Sequence, residues 1–272
     1  MPEVSVIMPV YNVEKYVEEA AKSVLNQSFE DLELIIVNDG STDRTPDIID
    51  DLNDPRVKII HQENAGSVPA RNRGLKESVG KFIAQHDADD ISAPDRIKKQ
   101  VRFLKEHREI HLVGSFAEVV DTKSGNRTIS PRPQTDNQIR RVILKVNPFV
   151  NGSVLFKRKV VEQIDLYGHS EDDYLQKVRV LARFKTANIP EILYTRRARP
   201  EGMIKGSNFF DHLKRIIGTR KKAIRILDIP AWKWYQVVVP LLGYLLFSLG
   251  LNKELGHQII SKVSGGPKVK EP

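Results

Sequence analysis

Phe82-Ile83-Ala84-Gln85-His86-Asp87-Ala88-Asp89-Asp90 is the stretch whose reading decides the fold. Phe82-Ile83-Ala84 is a short apolar run of the kind that forms a buried strand. It ends in a cluster of carboxylates, and Pro94 then opens a helix carrying Ile97, Val101 and Leu104. Working back toward the N-terminus, the same alternation repeats. Val4 to Val10 reads as a strand, and Asn12 is placed to cap a helix bearing Val13, Tyr16, Val17, Ala20, Ala21 and Val24. Leu34-Ile35-Ile36-Val37 is a second strand, stopped by Asn38-Asp39-Gly40-Ser41. A capped segment with Ile48, Ile49 and Leu52 follows, then a strand at Val57-Lys58-Ile59-Ile60 and a helix over 68–79. Strands alternating with helices predict an α/β fold with a mostly parallel sheet flanked by helices. Such sheets bind ligands at the carboxyl ends of their strands. Asn38-Asp39 and Asp87 to Asp90 both stand at such ends.

The rest of the chain is less regular. Leu112 to Val120 and Asn151 to Phe156 have strand character. Residues 121–137, rich in Pro, Ser, Thr and Gly, read as a loop. Glu171-Asp172-Asp173 opens a helical pattern with Leu175, Val178 and Leu181. After about residue 205 the composition shifts: Lys205 to Asp228 holds seven Lys/Arg against two Asp, with apolar residues at helical spacing. Trp234 to Asn252 is a 19-residue run without charge, interrupted by Pro240, Gly243 and Gly250. Trp232, Trp234 and Tyr235 stand at the junction, as interfacial aromatics do. The expected organisation is a catalytic domain over 1–204, with its nucleotide half over about 1–110 and its acceptor half over about 111–204. A basic helical extension over 205–272 follows.

Composition narrows the function. With 272 residues, 40% hydrophobic and 29% charged, the chain has material for a real core and is not disordered. Zero Cys excludes disulfide scaffolds, thiolate metal sites and Cys nucleophiles. The net charge of +8 suits a phosphate-bearing partner or an anionic membrane face. No nucleic acid is expected, because the excess charge lies near the C-terminus and no nucleic-acid motif accompanies it. The N-terminus lacks a basic, then apolar, signal segment, so a cytoplasmic body is expected, held peripherally or anchored at the cytoplasmic membrane face through 205–252.

The chemistry sits in the acids. No Walker loop or dinucleotide-binding Gly fingerprint is present. Asp87-x-Asp89 can hold Mn²⁺ or Mg²⁺, which take oxygen ligands and share them between carboxylates and a substrate's phosphates. A solvated acidic turn is the plain alternative for a lone Asp-x-Asp. This pair is not alone. Val4 to Asn12, Val37-Asn38-Asp39-Gly40-Ser41-Thr42-Asp43, Asn64-Ala65-Gly66 with Ala70-Arg71-Asn72-Arg73-Gly74, and Asp87 to Asp90 with Pro94 and Arg96 follow in order. Glu171-Asp172 and Asn188 to Tyr194 complete the series.

In this series the chain resembles the family 2 glycosyltransferases with the GT-A fold, over roughly residues 3–200. The resemblance implies transfer of one sugar, with inversion, from a nucleotide-diphosphosugar, UDP-linked by default, to a glycan or lipid-linked acceptor. It implies that Pro9 and Tyr11 line the base pocket and that Asp39 accepts from base or ribose. Gly66 would admit the donor to the backbone, Arg71 would face the nucleotide or its diphosphate, Asp87 the ribose, and Asp89 the metal. Asp172 becomes the general base, with Asp173 close to it in claim because Asp173 and Tyr174 are interchanged relative to the family's habit. Asn151, Gly152, Glu171 and Asp173 fall on the acceptor side. Asn151 stands where relatives often have His. Gln176-Lys177-Val178-Arg179-Val180 resembles the box of processive relatives but lacks its Trp and follows the acidic motif at once, so single-sugar addition is expected. The alternatives are a nucleotidyltransferase and a non-catalytic nucleotide-sugar-binding protein on the same fold.

Overall fold

The computed structural model describes residues 1–164, 173–198 and 209–230. Among them, one mixed sheet is built from β1 (Val4–Val10), β2 (Leu32–Asp39), β3 (Val57–Gln62), β4 (Phe82–Gln85), β5 (Ile91–Ser92), β6 (Ile110–Asp121), β7 (Arg127–Ser130), β8 (Leu155–Lys157) and β9 (Lys185–Ala198). Its order is β3-β2-β1-β4-β8-β6-β9-β5, with β7 beside β6. The helices are α1 (Val17–Leu25), α2 (Thr45–Asp50), α3 (Ser67–Glu77), α4 (Arg96–Glu106), α5 (Asp136–Val142), α6 (Arg158–Gln163), α7 (Asp173–Arg183) and α8 (Phe209–Ile226).

The parallel expectation holds from β3 to β4. Beyond β4 the sheet turns mixed: β8 runs antiparallel to β4 and β6, while β9 is parallel to β6. β1 and β2 are buried almost throughout, as strands covered on both faces must be. On one face α1 buries Val17, Ala20, Ala21 and Val24, a helical stripe, and α4 buries Ile97, Val101 and Leu104. The other face carries a second core from Ile7, Ile83 and Phe156 to Val178 and Leu181 of α7. There Gly74 lets α3 lie on β1, since a Cβ would come within 2.5 Å of Ile7.

Three local expectations change. Asn12 does not cap α1. It sits at φ 50° and its Oδ1 accepts from the Thr42 amide at 2.8 Å, tying the β1 exit to the loop after β2. The helix starts at Val17, after a turn closed on the Val13 carbonyl. Residues 121–137 are not all loop: they hold β7 and the start of α5, whose N-terminus is a capping box between Thr135 and Gln138. Asn151–Ser153 is a single 3-10 turn rather than strand, and the strand begins at Leu155.

The basic segment after 205 is helical over Phe209–Ile226. Ala223 and Ile224 are buried against the body, and Arg220 stacks on the Tyr174 ring with 3.6 Å between its guanidinium carbon and the ring centre. Lys214, Lys221, Lys222 and Arg225 are exposed and fall on one side of the helix. Among the described residues no helix is long and apolar enough to cross a membrane. The uncharged run 234–252 lies outside them.

Candidate active site

The parallel strands β1, β2 and β4 deliver their carboxyl ends to one edge, and a cleft of about 380 Å³ opens there. Its lining includes Pro9, Tyr11, Asp39, Gly66, Arg71, Asp87 and Asp89. Residues separated by up to 80 positions in sequence thus meet in one cavity, because they stand at or just past strand ends or, as Gly66 and Arg71 do, at the start and on the face of α3. Tyr11 is 49% exposed and forms an open wall.

Asp39 is buried, and its carboxylate reaches the loop after β3. Oδ1 accepts from Gln62 Nε2 at 2.7 Å and from the Ala65 amide at 2.9 Å, and Oδ2 accepts from the Gly66 amide at 2.8 Å. The side-chain turn at this corner is made by Asn38, whose Oδ1 accepts from the Ser41 amide. Asp39 therefore holds the Ala65-Gly66 corner against the cleft, where Gly66 adopts φ 96° with nothing within 4 Å of a Cβ position. Gly40, at φ 70°, lies so close to Asn64 that a Cβ would meet its backbone nitrogen at 2.7 Å.

Arg71 projects from α3 between two carboxylates. Nη2 lies 3.1 Å from Asp87 Oδ1 and Nη1 lies 2.9 Å from Asp173 Oδ1, with 12% of the Arg71 side chain exposed. Asp173 Oδ2 in turn accepts from Asn151 Nδ2 at 3.1 Å, and Asn151 Oδ1 from Asn147 Nδ2. One chain of contacts thus joins Asp87, Arg71, Asp173 and Asn151. Gly152 is pressed against the acidic turn: a Cβ would lie 2.0 Å from Tyr194 Oη and 3.0 Å from the Asp87 nitrogen. Glu171 and Asp172 lie outside the described residues.

Behind the cleft lies a layer of buried charge that the sequence reading did not assign. His86 is buried, donates from Nδ1 to the Asp87 carbonyl at 2.8 Å, and has its pKa driven by burial down to about 3. Tyr194 Oη accepts the Asp87 amide at 3.1 Å. Asp90 accepts the Arg197 amide at 2.8 Å, and burial, reinforced by Asp87 and Asp89, pushes its carboxyl up to about 8. Arg96, fully buried, donates to the carbonyls of Gln85 and Gly152, and burial lowers it to about 10. Lys177 of α7, also fully buried, donates to the side-chain oxygens of Gln85, at 3.1 Å, and Gln176. Burial lowers its pKa to about 8, against the pull of Asp173. Arginine and lysine are almost never fully buried unless a charge answers them. Here the answering charges are Asp87 for both, and Asp173 for Lys177. Their signal in sequence is faint. Arg96 stands in the helix after Pro94, and Lys177 lies off the Leu175-Val178-Leu181 stripe and looks solvent-facing, although in the fold its ammonium reaches Gln85 of β4.

Burial, then Asp173 and Asp89, raise the Asp87 carboxyl, with Arg71 opposing. A divalent cation suits this surplus of oxygen ligands. Among the described residues no three His, Cys, Asp or Glu side chains gather to enclose a metal. Asp87 and Asp89 are the carboxylates of the cleft that could hold such a cation, which commonly takes one or two carboxylates together with phosphates and water.

Residues 5–165 match the family model for glycosyl transferase family 2. The chain belongs to that family. It is 34% identical over 207 residues to an uncharacterized glycosyltransferase of Haemophilus influenzae, covering 71% of this chain and 64% of that protein. A second such protein from that organism is 32% identical over 201 residues, with 73% and 78% covered. The putative glycosyltransferase EpsE of Bacillus subtilis aligns over 97% of both chains at 28% identity. Among solved structures, S. aureus TarS 1-349 in complex with UDP-GlcNAc superposes with TM-score 0.71 at 21% identity, covering 97% of this chain and 80% of that one. The mannosyltransferase PcManGT of Pyrobaculum calidifontis, in complex with GDP-Man and Mn²⁺, gives 0.63 at 19%, covering 98% and 76%. The fold is thus the GT-A α/β fold of family 2 glycosyltransferases.

Proposed function

We propose that the chain moves one sugar from a nucleotide-diphosphosugar, a UDP-sugar first, to an acceptor hydroxyl with inversion, in glycan, glycolipid or cell-surface polysaccharide synthesis. The observation that carries this reading is the convergence of Pro9, Tyr11, Asp39, Gly66, Arg71, Asp87 and Asp89 on one cleft at the strand ends. The nucleotide-sugars in the TarS and PcManGT complexes support the donor class. Pro9 and Tyr11 form the base wall, and the Asp39-braced Gly66 corner lets the donor approach the backbone. Asp87 faces the ribose. Asp89, with Asp87, would hold Mn²⁺ or Mg²⁺, which supplies positive charge to the leaving diphosphate. Arg71 adds fixed positive charge on the same side.

Asp172 is the general base in this reading. Asp173 is the poorer candidate, since Oδ1 faces Arg71 and Oδ2 takes the Asn151 amide. Its role is to lock the acceptor loop of Asn151-Gly152 to the donor side. We assign 1–204 to the catalytic domain and 205–272 to an extension that rests on an anionic membrane surface, where a lipid-linked acceptor would be met.

Donor turnover followed by NMR of the released or transferred sugar tests the reading, with UDP-GlcNAc and GDP-mannose as probes. The first-formed product should have the anomeric configuration opposite to the donor's. Asp172→Asn should lower turnover at least about 100-fold, the usual worth of a general base. Retention, or full activity in that variant, would remove the mechanism.

A further inference from the structure

Arg132 stands between Pro131 and Pro133 in the segment joining β7 to α5. The residue before a proline is confined to extended backbone, so the segment is stiff. It is also bolted to the sheet: Asn188 of β9 donates from Nδ2 to the Pro133 carbonyl at 2.7 Å and from its amide to the Gln134 carbonyl at 2.9 Å. Arg132 is thus displayed from a rigid mount. Its Nε is shut off from water and meets no acceptor. A buried N–H in that state is costly and calls for an explanation, a ligand among them.

A second cation adds to this cost. Arg196 of β9 lies close enough to repel Arg132, and burial and this repulsion both lower the Arg132 pKa. Among the described residues neither guanidinium has a carboxylate partner. Arg56, Arg71, Arg127, Arg140 and Arg197 all have one. A like-charged pair without acids is the arrangement that an oxyanion completes, since the guanidinium fork matches phosphate and carboxylate.

Position gives the pair a meaning. Ser130, Ala117 and Tyr194 form one row across β7, β6 and β9. Tyr194 Oη takes the Asp87 amide, and Arg196, two residues on, shares the Tyr194 face of β9. The adjoining Arg197 holds the Asp89 carbonyl at 2.9 Å. This end of β9 is thus tied to the acidic turn through Arg197, on the β6-β9 side, whereas Pro9, Asp39 and Gly66 line the cleft from the β1-β2 side.

We propose that Arg132 and Arg196 form a second anion site, separate from the donor cleft, that takes a phosphate or carboxylate group carried by the acceptor. The binding claim stands on the two arginines alone, and its assignment to the acceptor rests on the transferase reading.

The Nε–H signals of arginine in a ¹H–¹⁵N NMR spectrum, titrated with inorganic phosphate, test it. Phosphate should shift the Arg132 signal saturably in the full chain. Arg196→Gln should weaken this binding at least about tenfold. Arg132→Lys, which keeps the charge and loses the fork, should weaken it as well, and Arg71→Gln should leave it in place. Both Arg132→Lys and Arg196→Gln should keep the native melting temperature and any shift caused by UDP or GDP. Absence of saturable phosphate binding, or binding lost in Arg71→Gln and kept in Arg196→Gln, would overturn the site. If UDP and GDP shift nothing while phosphate binds at Arg132, the donor reading fails and the anion site stands.

Discussion

His86 is a neutral imidazole inside the wall that carries the acidic turn. Its ordinary pKa of 6.5 falls to about 3 in the fold. Between those values the unfolded chain binds a proton that the folded chain refuses, so stability falls as the pH drops from about 6.5 toward 3. His86→Asn should flatten that slope. Denaturant melts at about pH 5 and about pH 7 check this: the variant should lose less stability than the parent on acidification. Equal losses would mean that His86 charges freely. At this scale the sequence was readable where a residue's chemistry is set by its neighbours along the chain. Asp39, Asp87 and Asp89 could be picked out as carboxylates at strand ends. That Asp39 spends its oxygens on Gln62, Ala65 and Gly66 could not be read, because those partners arrive from another strand. Arg96 and Lys177 became buried only through packing between layers.

Among the elements, the 3-10 turn Asn151–Ser153 bears most directly on the cleft. It fits because Gly152 has no side chain: Tyr194 Oη and the Asp87 amide occupy the space. Gly152→Ala must displace either the buried Tyr194 or the acidic turn. Overpacking of this kind costs about 1–3 kcal/mol, and because Tyr194 Oη would also lose the Asp87 amide, a loss near the top of that range is expected. Thermal unfolding should show it, together with weaker nucleotide binding, whereas an unchanged melting temperature would show that the turn can yield. Strong apolar periodicity made β1, β2, α4 and α7 legible. β7 and α5 were hidden by the turn residues around them, although Thr135-x-x-Gln138, the capping box itself, stood in plain sequence. The helix at 17–25 was legible and its start was not, because Asn12 bonds across to Thr42 instead of capping.

Across the whole molecule, the sheet changes character at β4. The parallel half carries Pro9, Asp39 and the acidic turn at its strand ends, and β8, antiparallel to both β4 and β6, follows the Asn151–Ser153 turn that presses on Asp87. Alternating strand and helix patterns foretold the first half. The second half depends on pairings between distant segments, such as β6 with β9, which leave no periodic trace. α8 lies on the outside of this body with Lys214, Lys221 and Arg225 exposed. Replacing these three by Gln should weaken binding to phosphatidylglycerol-containing vesicles by about 100-fold, at about 1 kcal/mol for each basic residue near an anionic surface. Co-sedimentation at low and high salt reads this, and binding indifferent to both charge and salt would remove the electrostatic account.

The donor cleft is the central claim, and thermal unfolding with UDP, GDP, dTDP and CMP, each with and without Mn²⁺, tests it most directly. A ligand that binds the folded chain alone raises its melting temperature. One diphosphate should raise it by several degrees with Mn²⁺ present, CMP should not, and Asp89→Ala should abolish the metal-dependent part. No shift with any nucleotide, or the same metal-dependent shift in Asp89→Ala, would contradict the account.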